Sequence, residues 1–396
     1  MLIKNAKVIT PDGVRRDLSV ITDDDMIVSL TDRDTVYSDD EIVIDAGGRF
    51  LSPGFIDIHC HGGGGADFMD GTPEAFRTAC SEHLKHGTTT IVPTSVSASA
   101  DAVKAFTDSF KVVKNDPELP DMPGFHLEGP FLSEHMAGAI DPNYICLPDK
   151  DHSKQILDIC GKDLLRWTIA PELAGACELG RECASRGIFP SIGHSNGYYE
   201  DAVKAVKNGF KTVTHIYSSM SSVRREGGFR RSGILEAALL LDELYVELIA
   251  DCRHLPVELL KLIYRLKGPS RMILVTDAMR AAGTDTVRST LGNINSGLDV
   301  IIEDGVAKMP DRSGFAGSIA TADTLLRTMN ISAGIGIDEC IRMMTSVPAS
   351  VIGIAGIAGS VSPGYRADLV IFDDEIKIQN VILKGRSVYG DNCKSI

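Results

Sequence analysis

No two of the chain's nine cysteines are spaced C-x-x-C, and their odd number follows no framework spacing. Such thiols suit a reducing cytosol better than a disulfide-stapled secreted scaffold. Positive charge is also scarce: 40 Lys and Arg face 54 Asp and Glu, leaving a net charge of −14. That balance argues against nucleic acid and against an anionic membrane surface as partners. An anionic substrate would therefore need a local basic cluster. No apolar run is long enough to span a bilayer. Met1-Leu2-Ile3-Lys4-Asn5-Ala6-Lys7 lacks the basic-then-apolar layout of a signal peptide, which predicts a cytoplasmic protein. No G-x-G-x-x-G signature follows the first strong strand, and no P-loop occurs, so redox cofactor and nucleotide chemistry lack their usual cradles.

What is present is a core-forming composition, 43% hydrophobic and 24% charged over 396 residues. That length exceeds one ordinary compact domain but suits a large barrel with a small appendage. Short strands rich in Val, Ile and Leu are predicted at 2–9, 18–21, 26–30 and 41–45, separated by turns such as Pro11-Asp12-Gly13. The same texture returns at 368–372, 376–383 and 386–389. Each half is too short to bury its own core, so the two ends are expected to build one small antiparallel β-sandwich. The expected division is 1–52 and 356–396 in the sandwich, with 53–355 as the catalytic body. Inside that body, strands predicted at 55–59, 88–94, 124–128, 165–171, 188–194, 211–215, 245–250 and 272–277 alternate with helices. Those helices are expected at 73–86, 101–114, 177–186, 199–208, 233–242 and 256–267, with Thr72 and Asp101 as capping residues. Near-continuously apolar strands alternating with helices predict an α/β fold, a (β/α)₈ TIM-type barrel. Residues 285–310 look like an excursion after the last strand, with turns at Gly292-Asn293 and Asp304-Gly305, and helices near 322–333 and 337–347 lead back.

The ionisable residues cluster at the predicted strand ends. Phe55-Ile56-Asp57-Ile58-His59-Cys60-His61 places two imidazoles two residues apart, on one side of a strand, before the run Gly62-Gly63-Gly64-Gly65. Glu128 ends the third strand, His194 the fifth, His215 the sixth and Asp277 the eighth. Singly, each has a bland reading: Glu128 as a helix cap, His194 as a satisfied core histidine, Asp277 as an N-cap. Jointly they would need six independent placements at one barrel face, the face where barrel active sites lie. Four His and two carboxylates there satisfy the ligand chemistry of one or two divalent metals. A metal in such a mouth lowers the pKa of bound water toward about 7. Asp277 then suits a general base that later protonates a leaving amine, and the chemistry points to hydrolysis.

Pro53-Gly54-Phe55-Ile56-Asp57-Ile58-His59-Cys60-His61-Gly62 resembles the opening motif of the amidohydrolase superfamily. Gly65-Ala66-Asp67-Phe68-Met69-Asp70-Gly71, His126-Leu127-Glu128-Gly129-Pro130-Phe131, Gly193-His194-Ser195, Thr214-His215, Val275-Thr276-Asp277-Ala278-Met279 and Phe315-Ala316-Gly317-Ser318 narrow the resemblance to its N-acetylglucosamine-6-phosphate deacetylase family. The resemblance implies release of acetate from an amino-sugar phosphate. Glu128, His194 and His215 would hold the principal metal, Zn2+ or Fe2+. His59 and His61 favour a second ion, and Asp277 would be the catalytic acid/base beside the metals. The resemblance also places Ala139, Ser218, Ser219, Phe315, Ala316 and Gly317 on the sugar side and assigns the phosphate to Arg225 and His254. In the family the Arg or His can come across a dimer interface, which implies a homodimer. The Arg224, Arg225, Arg230 and Arg231 cluster is the basic patch an acidic chain requires; its bland reading is a solvated or subunit-facing loop.

Three departures fall in sugar or phosphate contacts. Ser218-Ser219 stands where Asn-Ala is common, Arg224-Arg225-Glu226-Gly227-Gly228 where Arg-Glu-Pro-Gly is common, and Ile140 where some members have His. Deacetylation of N-acetylgalactosamine 6-phosphate, hydrolysis of a cyclic amide, and a non-catalytic barrel scaffold are the competing readings.

Overall fold

A computed structural model describes residues 1–32 and 42–390. Eight parallel strands, Phe55–Cys60, Thr88–Ser95, Phe125–Glu128, Leu164–Ile169, Phe189–Ile192, Thr212–Val213, Tyr245–Leu248 and Met272–Leu274, lie side by side in chain order. The last strand returns to the first through backbone bonds past the ladder: Asp277 N–H donates to His59 O (2.9 Å) and His61 N–H to Ala278 O (2.8 Å). The (β/α)₈ expectation therefore holds.

Alternation sets the two faces of each strand. In Leu164–Ile169, Trp167 and Ile169 turn outward into the helix layer, while Arg166 and Thr168 join a buried hydrogen-bond network inside the barrel. The helices pack their apolar stripes on the outside. In Pro73–Lys85 that stripe is Phe76, Ala79, Cys80 and Leu84, at the three-and-four spacing a helix requires. Thr72 caps this helix, its Oγ1 accepting from Ala75 N–H at 3.2 Å. The next cap differs from expectation. Ser99 holds the N-cap of Ala100–Val113, and Asp101 sits inside the first turn.

Three further differences have local causes. The strands expected at 188–194, 211–215 and 272–277 end early, because His194, His215 and Asp277 leave the ladder at φ of 47°, 29° and 47°. The helix expected at 322–333 is Ala322–Arg327 followed by a wider turn over Thr328–Ser332, and that at 337–347 breaks at Thr345 into Ile337–Met344 and Ser346–Val351. A helix not anticipated, Lys150–Cys160, fills the third crossover. The excursion is a three-stranded antiparallel sheet of Arg288–Leu291, Leu298–Glu303 and Val306–Lys308. Its second turn uses Asp304 and Gly305, both at positive φ, the mirror-image turn that matches strand twist.

The two chain ends do share one sheet. Phe50–Pro53 pairs antiparallel with Leu369–Phe372 and parallel with Lys7–Thr10 in a six-stranded sheet. A four-stranded sheet of Met26–Asp32, Leu18–Asp23, Leu2–Lys4 and Val43–Asp45 lies with it, and Ile3, Val8, Val20, Ile27, Leu51, Leu369 and Ile371 form a common core. The expectation of a wholly antiparallel sandwich is corrected by the parallel pairs Leu2–Lys4 with Val43–Asp45 and Lys7–Thr10 with Phe50–Pro53. Of the strand expected at 41–45, Glu41 lies outside the described residues.

Candidate active site

The six strand-end residues meet at the C-terminal mouth of the barrel. Glu128 is the centre of the group. Its Oε1 lies 2.9 Å from His215 Nε2, 3.2 Å from His194 Nε2 and 3.6 Å from His59 Nε2. Its Oε2 lies 3.2 Å from His61 Nε2. Asp277 Oδ1 sits 3.2 Å from His61 Nε2 and 3.4 Å from His59 Nε2. Two sets of ligand atoms, His59, His61, Glu128 and Glu128, His194, His215, are each gathered within 4.8 Å and share the glutamate. The His59 and His61 Nε2 atoms face each other at 3.2 Å. Two imidazole nitrogens so close are best reconciled by a cation between their lone pairs, so the donor set fits a divalent ion.

The electrostatics agree. Burial alone would lower the His59 and His61 imidazoles, but Glu128 and Asp277 hold both up, His59 to about 9. Burial would likewise raise Glu128 and Asp277, yet His59 and its neighbours keep both carboxyls below the usual range. The left-handed backbone at His194, His215 and Asp277 is uncommon away from glycine and typical of sites that store strain to aim a side chain.

The chain is similar to known proteins along nearly its whole length. The amidohydrolase family pattern matches residues 50–388. A curated N-acetylglucosamine-6-phosphate deacetylase of Lysinibacillus sphaericus is 31% identical over 390 residues, covering 98% of this chain and 97% of its own. The chain belongs to the N-acetylglucosamine-6-phosphate deacetylase family of amidohydrolases. The crystal structure of a Pasteurella multocida deacetylase of that name superposes with a TM-score of 0.89 at 26% identity, covering 97% of this chain and 98% of its own. An Escherichia coli O157:H7 N-acetylgalactosamine-6-phosphate deacetylase is 28% identical, covering 91% of this chain and 89% of its own.

As in a deacetylase that must admit a sugar, a cavity of about 290 Å³ opens onto the ligand group. His61, Glu128, His194, His215 and Asp277 form its floor, and Ala139, Ser218, Ser219, His254, Phe315 and Gly317 line its walls, as does Ile140. Ala316 is wholly buried, packed behind that wall with Met279 and Leu291. Gly317 is required there: at φ 70°, an added Cβ would come within 3.0 Å of Asp277 O. His254 Nδ1 is held by Asp251 at 2.8 Å, which leaves Nε2 as the ring's free nitrogen.

Arg225 is not brought into this cavity. It lies exposed on the hairpin of Arg224–Glu226 and Phe229–Arg231. Within the basic cluster, Arg224 and Arg231 both stack on the Tyr198 ring, at 3.7 and 3.9 Å, and Arg224 also donates to Asn196 Oδ1 and O. The hairpin is thereby tied to the loop that follows His194, with Arg225 and Arg230 left exposed.

Sequence reasoning missed the polar network beneath the ligand group. Arg166 and Glu247 are fully buried and ion-paired there, and His126 Nε2 lies 2.7 Å from Thr168 Oγ1. Burial keeps the His126 imidazole far below its usual range, helped by the neighbouring Arg166, so this ring is neutral. The available signal was a charged residue inside each of two apolar strands, Leu-Leu-Arg166-Trp and Tyr-Val-Glu247-Leu. A second missed device clamps the excursion over the mouth. Arg280 makes a two-pronged contact with Asp70 (2.7 and 2.9 Å) and donates to Gly65 O and Gly292 O, while Asp67 accepts from Gly292 N–H. Asp70→Asn should cost about 3 kcal/mol, because it strands a buried guanidinium. Thermal melting reads that loss, and hydrogen exchange should quicken across 288–308 before it does in the barrel strands.

Proposed function

We infer that the chain is a metal-dependent hydrolase that removes acetate from N-acetyl-D-glucosamine 6-phosphate, leaving D-glucosamine 6-phosphate. The observation that carries this reading is Glu128, shared between the His59–His61 pair and the His194–His215 pair at the barrel mouth. Glu128, His194 and His215 would hold the principal ion, and His59 and His61 a second one; Zn2+ and Fe2+ both suit imidazole and carboxylate donors. A divalent ion in this position supplies Lewis acidity, polarising the amide carbonyl and making water more acidic. Asp277 Oδ1 takes the proton of the attacking water as the new C–O bond forms. The same carboxyl returns that proton to the amide nitrogen as the C–N bond breaks, giving the amine and acetic acid, whose remaining proton passes to the amine or to solvent as acetate leaves. His254 would meet the phosphate, and the walls formed by Ala139, Ser218, Ser219, Phe315 and Gly317 would orient the sugar.

Because the neighbouring carboxylates hold the His59 imidazole up to about 9 in the metal-free site, an ion must displace its proton. Affinity for the ion on the His59 side should therefore climb with pH up to about 9, roughly tenfold per unit, in chelator-buffered zinc titrations.

Arg225 fits a phosphate ligand supplied across a homodimer interface, since it lies exposed on its hairpin and does not line the cavity of its own chain. Arg225→Ala should raise KM for the phosphorylated sugar by about 10- to 100-fold, the loss of one charge-assisted contact, with kcat little changed. An unchanged KM would make the hairpin a solvated loop. The eight described cysteines are unpaired, in keeping with a cytoplasmic enzyme, and no helix among the described residues is long and apolar enough to cross a membrane.

Acetate release from N-acetylglucosamine 6-phosphate, N-acetylgalactosamine 6-phosphate and unphosphorylated N-acetylglucosamine tests the substrate assignment. The expected order of kcat/KM places the first highest and the unphosphorylated sugar lowest. A preference for the galacto epimer would overturn the sugar assignment alone.

A further inference from the structure

The four imidazoles at the mouth are not held alike. His194 Nδ1 lies 2.8 Å from the Met136 carbonyl oxygen, whereas the Nδ1 atoms of His61 and His215 are buried without a partner. His59 alone among the four has a carboxylate behind it, with Nδ1 at 3.3 Å from Glu247 Oε2. Glu247 is itself fixed: its other oxygen pairs with Arg166, and both side chains are completely buried. Arg166 also donates to Ile58 O at 3.2 Å, Ser191 Oγ at 2.9 Å and Thr214 Oγ1 at 3.0 Å. A carboxylate on the back nitrogen of a ligating imidazole fixes its tautomer and orientation and strengthens it as a donor.

We propose that Glu247, locked by Arg166, is the positioning residue that aims His59 Nε2 into the site, so that an ion on the His59–His61 side is retained only while this buried pair is intact. The inference rests on the metal-dependent reading above. It concerns one half of the ligand group and leaves the Glu128–His194–His215 half independent of Glu247. No proton passes between His59 and Glu247: Nδ1–H donates to the carboxylate, and the Nε2 lone pair faces the ion.

The test is metal binding by the full chain, stripped of metal and titrated with Co2+ against a competing chelator, with zinc content measured in parallel. Wild-type protein should bind two equivalents. Glu247→Gln should weaken one of them by about 10- to 100-fold and leave the other unchanged. Because this variant strands the Arg166 charge, melting and circular dichroism must show that it folds. The double variant Arg166→Met, Glu247→Met carries no unpaired charge and should show the same selective loss. Affinities within about threefold of wild type for both equivalents in Glu247→Gln would overturn the proposal. Recovery of the second equivalent in the double variant would do so too, since the pair would then serve charge balance and not His59. A single wild-type equivalent that survives His59→Ala also overturns it. Wild-type protein that takes up no metal at all would instead contradict the deacetylase reading itself.

Discussion

Asp277→Asn should lower kcat by about 10²- to 10⁴-fold while the protein keeps its metal, the usual contribution of a positioned acid/base group. Asparagine preserves the shape of the side chain but cannot accept the proton of the attacking water. The backbone that aims it would be undisturbed, since Asp277 N–H donates to His59 O and Asp277 O accepts from Ser318 N–H at 2.7 Å. Burial would raise the Asp277 carboxyl, but His59, His61 and His215 hold it below its ordinary range. Steady-state rates with metal content measured on the same sample decide the matter. A loss smaller than about tenfold with metal retained would remove Asp277 from the acid/base role.

Glu128→Ala should have a larger effect, abolishing measurable turnover, a loss beyond roughly 10⁴-fold, because both ligand sets lose their common member. The carboxylate touches all four imidazoles within 3.6 Å, so its removal leaves His61 with Asp277, and His59 with Asp277 and Glu247, as anionic neighbours. Metal analysis should find both ions gone or greatly weakened. His59→Ala, in contrast, should spare the ion held by Glu128, His194 and His215. Glu128→Ala protein that retains full metal would break the assignment of the shared ligand.

The barrel was readable from the sequence because buried parallel strands are near-continuous apolar runs, and their order follows the chain. The ligand group was readable for a related reason: a polar residue that closes an apolar run must sit at the strand's end, and barrel geometry gathers those ends. The exit points were not. His194, His215 and Asp277 look like strand residues by pattern, but their left-handed backbone is set by loops that meet only in three dimensions. The parallel pairing in the sandwich was hidden too, since Lys7–Thr10 and Phe50–Pro53 are distant in sequence and alternation fixes a face without naming a neighbour. Glu247 and Arg166 are charges within apolar strands that the sequence reading passed over, and nothing local says that each is the other's partner. Arg225 shows the opposite limit, where a motif gave a role and the fold of one chain left the side chain outside the cavity.

The most direct measurement is acetate release from N-acetyl-D-glucosamine 6-phosphate by one preparation, assayed metal-stripped and again after zinc or iron is restored. Turnover should be absent from the stripped protein and return on loading. Equal rates in the two states, or no acetate from protein shown to carry its metal, would contradict hydrolysis built on the Glu128 centre.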